Sequence, residues 1–344
     1  MNQNQRSVLL IIFVLLILGV TAAIVFNSSS TSSSEFNVQA ADSVVYVENG
    51  VSGDVTINDP FLNKTSEVNI VYDPLDSGSG FIVNDDGYII TAFHVVGDPQ
   101  AVQDQGVLRL MESGDIQQYL ERAAVSGYLS RYNPQLGSEL INNSTTNTAL
   151  QTQPDVNTTT DLMNQRNLIQ VKSAKQQIRV RLPGSNAGEY VNANLVDIGN
   201  PETSEDMALI KINTFFTRLH PLTLNSNTPT VNQKIQIYGY PVTNPGRDYK
   251  FNSSSLKPAS TAGVVTSELL KNGTFYYENT ADTIHGYSGG PVLDTNNNVL
   301  GILIYSLVTP NITGNTTEQS GSVFLSSKYI IQLLKKNNVS INMV

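Results

Sequence analysis

The chain has 344 residues, 40% apolar and 14% charged, which suits two globular domains or one large two-part unit and excludes wholesale disorder. Its 20 Lys and Arg face 29 Asp and Glu, a formal net charge of −9, and this balance argues against a nucleic-acid partner, which needs a basic face. Cysteine is absent, which excludes disulfides, thiol catalysis, thiolate zinc and iron–sulfur chemistry, and only His94, His220 and His285 can serve a mechanism that needs an imidazole.

Residues 1–6 (MNQNQR) are expected to form a short cytoplasmic tail. Ser7 to Phe26 carries no charge, and its 20 residues match the length a helix needs to cross the hydrocarbon core. Arg6 precedes the span and no Lys or Arg follows until Lys64. The positive-inside rule therefore puts the N-terminus in the cytoplasm and the rest outside the cell membrane. A cleavable signal peptide, with Thr21-Ala22-Ala23 as its small-residue site, is the rival reading; the length of the apolar run favours an uncleaved anchor. Residues 27–42 form a Ser/Thr-rich linker. Asn-x-Ser/Thr sequons at Asn27, Asn63, Asn142, Asn143, Asn157, Asn252, Asn272, Asn311, Asn315 and Asn338 are compatible with a glycosylated outer surface.

Beyond the linker, most of the chain reads as short strands: Ser43–Glu48, Gly80–Val83, Tyr88–Ala92, Gln177–Leu182, Ala193–Ile198, Met207–Ile212, Lys234–Tyr238, Ala262–Ser267, Thr274–Glu278, Val292–Leu293 and Val299–Ser306. Gly, Pro and Asn turns separate them, and Asp86-Gly87 is a hairpin signal. The pattern predicts an antiparallel sandwich or barrel. Two helices stand apart. Asp115–Tyr132 places Ile116, Tyr119, Leu120 and Ala123 at helical spacing behind Asp115 as N-cap, and Ser327–Asn337 carries the stripe Tyr329, Ile330, Leu333, Leu334. Residues 98–175 read as a mainly helical insertion in the β framework, with a low-complexity stretch at Asn142–Thr160.

Three places carry chemistry. Ser288 lies in Asp282–Val292 (DTIHGYSGGPV), hemmed by Gly286, Gly289, Gly290 and Pro291. A glycine-rich loop can aim its N–H groups at one point, as an oxyanion hole requires. A serine needs a base to take its proton, and His94 follows directly on the hairpin strand, where its ring can reach a cleft. Asp206 precedes an apolar strand and is placed to be half-buried and to hold an imidazole in one tautomer. His220, in Leu-His-Pro, reads as packing. His285 could line a pocket or cap a turn. His285 and Asp282 are too few ligands for a metal, so no metal and no cofactor is expected.

With those residues in view, the sequence resembles the trypsin-like serine peptidase superfamily, most closely its HtrA/Deg branch. Gly78-Ser79-Gly80-Phe81-Ile82-Val83 with Asp86-Gly87-Tyr88-Ile89-Ile90-Thr91 and His94-Val95-Val96 is similar to the branch's first block. Asp206-Met207-Ala208-Leu209-Ile210-Lys211 is similar to the second, and Gly286-Tyr287-Ser288-Gly289-Gly290-Pro291-Val292 with Asn298–Ile302 to the third. The resemblance implies an all-β fold of two six-stranded barrels with a cleft between them, a C-terminal helix and the N-terminal transmembrane helix in front. The peptidase domain would span 43–338, with barrel 1 over about 43–222, the 98–175 insertion inside it, barrel 2 over about 223–326, and the terminal helix over about 327–337. No PDZ domain is expected after it.

The resemblance further implies roles: Ser288 as nucleophile, His94 as general base and acid, Asp206 as orienting carboxylate, and the N–H groups of Gly286 and Ser288 as oxyanion hole. Tyr287 stands where zymogens of the chymotrypsin type have an Asp that pairs with a freed N-terminus, so activation by that route is not expected. For substrate binding, Ile304, Tyr305 and Ser306 align with the strand that pairs with a peptide, and the bulk of Ile304 and Tyr305 points to an apolar, partly filled pocket. Asp282 and His285 are further candidates. Asp282 sits at the spacing of a basic-specificity Asp, and also within a D-T-x-x-G-x-S-G-x-P loop similar to that of glutamyl endopeptidases, where the Asp does not create basic specificity; a structural role for Asp282 is favoured. The expected function is a membrane-anchored extracytoplasmic serine endopeptidase acting on polypeptides, in surface-protein processing or quality control. Oligomerisation is left open. The alternative is a noncatalytic surface-binding protein on the same scaffold.

Overall fold

The structure is a computed structural model that describes residues 40–59, 64–120, 122–123, 168–186, 188–213, 218–241, 258–310 and 317–344. The apolar span 7–26, most of the linker and the stretch Asn142–Thr160 lie outside the described residues. So do the sequons at Asn27, Asn63, Asn142, Asn143, Asn157, Asn252, Asn311 and Asn315. No helix among the described residues is long and apolar enough to cross a membrane.

Strands β1 (Val44–Asp59), β2 (Lys64–Ile82), β3 (Tyr88–Thr91), β4 (Ile169–Val171), β5 (Lys175–Arg181), β6 (Val191–Ile198) and β7 (Ala208–Ile212) form one antiparallel sheet in the order β2-β3-β7-β6-β5-β1-β4. An added β1–β2 pairing closes six of these strands on themselves, leaving β4 on the outer part of β1 at Val55–Ile57. A single helical turn, α1 (Phe93–Val96), follows β3. A second closed barrel runs β10-β13-β12-β11-β8-β9. Its strands are β8 (Lys234–Gly239), β9 (Ala259–Lys271), β10 (Thr274–Asn279), β11 (Pro291–Leu293), β12 (Val299–Pro310) and β13 (Thr317–Ser326). Closure removes the open edges that alternating strands would otherwise present. The expected all-β double barrel is therefore present.

Alternation along the strands sorts the core. Val45, Val47, Ile82, Ile89, Val180 and Ile210 fill the first barrel, and Ile237, Val265, Val292, Leu300 and Phe324 fill the second. The opposite faces of the same strands meet between the barrels, where Val44, Tyr46, Phe81, Tyr240, Ile302 and Leu325 pack together. The terminal helix, Ser327–Lys336, adds Ile330 and Leu334 to that shared core, and Ser326 caps it by accepting the Lys328 N–H.

Several elements differ from the sequence reading. β1 continues eleven residues past Glu48 to Asp59, because Asn49-Gly50 is a bulge in the β1–β2 ladder and not a turn. The outer ends of β1 and β2 survive because they have a core of their own: Val51, Val55, Ile57 and Ile70 are covered by Val102, Leu110, Ile116 and Ile169. Much of that cover is α2 (Pro99–Met111), a helix absent from the sequence reading. Its N-terminus is set by Asp98, whose side chain accepts the Gln100 and Ala101 N–H groups, and by Pro99 in the first turn. The next helical segment begins before Asp115. Residues 114–120 are helical, and the cap is Ser113, whose hydroxyl accepts the Ile116 N–H and whose carbonyl accepts the Gln117 N–H. β4 and β13 are likewise absent from the sequence reading. β13 is Ser-rich and becomes a strand by pairing with β10 and β12 at once.

Candidate active site

His94 sits on α1, directly after β3. The turn is anchored from within by Val95 and Val96, both buried in the first barrel. Its first N–H groups are taken from outside by Asp206. One carboxylate oxygen accepts the His94 backbone N–H at 2.9 Å, and the carboxylate also takes a backbone hydrogen bond from Phe93. The other oxygen lies 2.7 Å from His94 Nδ1. A carboxylate only accepts, so Nδ1 carries the ring proton and neutral His94 keeps its lone pair on Nε2. Asp206 thus fixes both the backbone and the tautomer of the histidine.

The two groups tune each other. Burial disfavours the charged imidazolium, but the hydrogen bond and charge of Asp206, with a contribution from Asp76, outweigh it and raise the His94 pKa above its ordinary value. Burial likewise pushes Asp206 up, and the hydrogen bonds and charge of His94 more than offset it, leaving the carboxyl below its usual range. Asp76 stands on the rim of the same site. Burial raises its pKa against the Ser77 N–H and the nearby histidines, and His285 Nε2 lies 4.0 Å from one of its oxygens.

Ser288 lies on the loop between β10 and β11, pressed against the first barrel. A Cβ on Gly289 would fall 2.1 Å from the Ser79 carbonyl and 2.8 Å from the Ala92 N, so the loop approaches the start of α1 at a distance only glycine allows. The Ser288 carbonyl accepts the Ser79 N–H at 2.8 Å, and the Tyr287 carbonyl accepts the Gly290 N–H at 2.9 Å. Gly286 takes φ 97, a left-handed conformation that side chains resist. Neither the Gly286 N–H nor the Ser288 N–H has an acceptor among the described residues. The Ser288 hydroxyl donates to the Ile304 carbonyl at 2.9 Å, and no hydrogen bond joins it to His94.

The expected substrate strand runs beside this loop. Ile304 buries its side chain in the core between the barrels, while Tyr305 is 46% exposed. The bulk expected to fill a pocket is therefore divided between the core and the surface. Ser306 turns its hydroxyl to the loop. It donates to the Thr283 carbonyl at 2.7 Å and lies 2.8 Å from the hydroxyl of the buried Thr283, a half-buried pair that the sequence reading did not single out. Asp282 and His285 are exposed. Among the described residues no cluster of three or more His, Asp or Glu is placed to hold a metal.

Over residues 78–302, well over half of the chain, the sequence matches the family described as the trypsin-like peptidase domain. The chain belongs to that family. The trypsin-like match takes in all three blocks, from Gly78 to Ile302 within β12. Among solved structures the peptidase fold is similar to a serine endoprotease from Yersinia pestis, with 18% sequence identity and a TM-score of 0.44. That alignment covers 88% of this chain and 65% of the other, so this trypsin-like chain spans about two thirds of its neighbour's length. No curated protein matches the sequence.

Proposed function

We propose that this protein is a serine endopeptidase that hydrolyses peptide bonds through Ser288, His94 and Asp206. The observation that carries the reading is the Asp206–His94 pair, fixed in one tautomer, beside a serine loop that offers two unpaired N–H groups. In the reaction Ser288 Oγ attacks the substrate carbonyl while His94 Nε2 takes its proton, which requires the hydroxyl to turn from the Ile304 carbonyl toward the imidazole. The Gly286 and Ser288 N–H groups receive the oxyanion, and Asp206 stabilises the imidazolium. His94 then protonates the leaving amine. Water, deprotonated by His94, cleaves the acyl-enzyme. Asp282, His285 and the strand of Ile304, Tyr305 and Ser306 form the surroundings of the bound peptide.

The protein works outside the cell, anchored in the membrane by residues 7–26 with its N-terminus in the cytoplasm. The charge asymmetry about that span and its uninterrupted apolar length support this placement. The sequons support a glycosylated surface. Kinship to the HtrA/Deg branch rests on the three sequence blocks, and processing or clearing of surface proteins follows from it. One observation favours the alternative of a noncatalytic binding protein: the Ser288 hydroxyl is bound to Ile304 and not to His94. A fluorophosphonate probe applied to the full-length chain decides between them. Labelling of wild type and not of Ser288→Ala supports the peptidase; absence of labelling in correctly folded wild type supports the binder.

A further inference from the structure

Ser79 is fully buried at the seam of the two barrels, and every polar group it has is committed. Its backbone N–H donates to the Ser288 carbonyl at 2.8 Å, and its carbonyl accepts the Thr91 hydroxyl at 2.7 Å. Its hydroxyl accepts the Tyr240 N–H at 2.9 Å. That contact occupies the oxygen as acceptor, so the single hydroxyl proton goes to the Gly286 carbonyl, 2.6 Å away. One residue of β2 therefore grips the carbonyls on both sides of Tyr287.

We propose that Ser79 is a positioning residue for the oxyanion hole: its hydroxyl and its N–H hold the Gly286 and Ser288 carbonyls, and so keep the two N–H donors aimed at the developing charge. The proposal rests on the peptidase reading of this site. The physical need for the clamp lies at Gly286. Glycine turns freely, and the Gly286–Tyr287 peptide plane that follows it lies between the two planes that carry the Gly286 and Ser288 N–H groups. Tyr287, between the two gripped carbonyls, carries no charge that could lock the loop by an ion pair. Without the hydroxyl, the Gly286–Tyr287 plane loses the bond to β2, and the hole is formed in only part of the molecules. A hole that is not preorganised must be ordered during the reaction, and the loss appears in the transition state and not in ground-state binding.

The test compares the full-length wild type with Ser79→Ala and Ser79→Gly. Four quantities are measured: kcat and KM on a peptide substrate, the affinity of a peptide boronic acid, the affinity of the corresponding product acid, and Tm. Crystal structures show the Gly286–Tyr287 plane. We expect kcat to fall about ten- to hundredfold with KM changed by less than about twofold, since loss of a whole oxyanion donor costs about a hundred- to a thousandfold. Boronate affinity should fall with kcat, because its tetrahedral oxygen occupies the hole, while product affinity holds. A residue that served only the fold would lower Tm without separating these two affinities. The proposal is overturned by kcat within about threefold of wild type, or by an unmoved Gly286–Tyr287 plane in both variants. If Ser79→Ala does not fold, Ser79→Gly removes the same hydroxyl while keeping the backbone bonds, and the same criteria apply. If wild type neither reacts with the fluorophosphonate nor cleaves peptide, the peptidase reading has failed. The crystal structures then still decide the clamp, by whether the plane turns when the hydroxyl is gone.

Discussion

Replacing Asp206 by Asn exchanges one oxygen for an NH2 group, and the surrounding geometry fixes the consequence. One oxygen of Asp206 accepts the His94 backbone N–H at 2.9 Å, and the other faces Nδ1 at 2.7 Å. An amide has one acceptor and one donor end. Turning the NH2 toward the backbone N–H sets two donors against each other and leaves a backbone group unpaired, at a cost of about 1–3 kcal/mol. The favoured orientation keeps the amide oxygen on the backbone and puts the NH2 on Nδ1. Nδ1 must then accept, so the ring proton moves to Nε2, the atom that should take the Ser288 proton. A bias of that size leaves about one molecule in ten to one in a hundred in the productive tautomer, at about 1.36 kcal/mol per decade. Loss of the negative charge beside the forming imidazolium adds about another ten- to hundredfold. The expected fall in kcat is thus about 10²–10⁴, with the fold and KM preserved. Steady-state kinetics on a peptide substrate measure the fall, and ¹⁵N spectra of His94 report the tautomer. Activity within about tenfold of wild type, or a retained Nδ1–H, would refute the reasoning and move the orienting role to another group.

The rate should depend on pH through His94, which must be neutral to act. Its raised pKa puts the acid limb of kcat/KM above the value of about 6.5 for free histidine, with activity rising as the proton leaves. Asp76→Asn removes one of the charges that raise it, so the midpoint should move down; an unmoved or raised midpoint in kcat/KM profiles counts against the contact. The same shifts bear on stability. The raised His94 contributes below its unfolded pKa and loses that contribution as pH rises through the folded value. The lowered Asp206 contributes above its unfolded pKa and loses it as pH falls through the folded value. Leu110→Ala, at a fully buried position between α2 and the outer ends of β1 and β2, should cost about 2–5 kcal/mol and increase proteolytic cutting within residues 98–175; urea melts with an unchanged midpoint would show that α2 does not dock there. Asp282→Ala should leave a peptide-library cleavage profile unchanged, because the side chain is exposed and has no hydrogen-bond partner among the described residues. A strong Arg or Lys preference in wild type that vanishes in the variant would instead make Asp282 the specificity residue.

The candidate site residues were legible because their signals are local. Ser288 stands among glycines, His94 closes a hairpin strand, and Asp206 opens an apolar one; each pattern needs only its own neighbours to be read. Strands with clean alternation or a strong turn, such as Tyr88–Thr91 and Lys234–Gly239, were legible for the same reason. Tertiary structure decided what depends on partners remote in sequence. The strand read as ending at Glu48 runs on through a bulge at Asn49-Gly50, because the β2 strand and the cover of α2 continue past it. β13 looks like a loop and is a strand, because two other strands bond it. Pro99–Met111 has a readable start in Asp98-Pro99, but its buried side, Val102, Gly106 and Leu110, is defined only by the strands beneath it. At the site, chain order named the candidate residues. The histidine tautomer comes from a contact within the first barrel, the Thr283–Ser306 hydroxyl pair from one within the second, and the grip of Ser79 on two carbonyls from one between them. Sequence thus determined which groups could do the chemistry. Tertiary packing, within the first barrel for Asp206 and His94 and across the seam for the serine loop, decided how they are held, because a hydrogen bond's direction is set by where its partner lies in space.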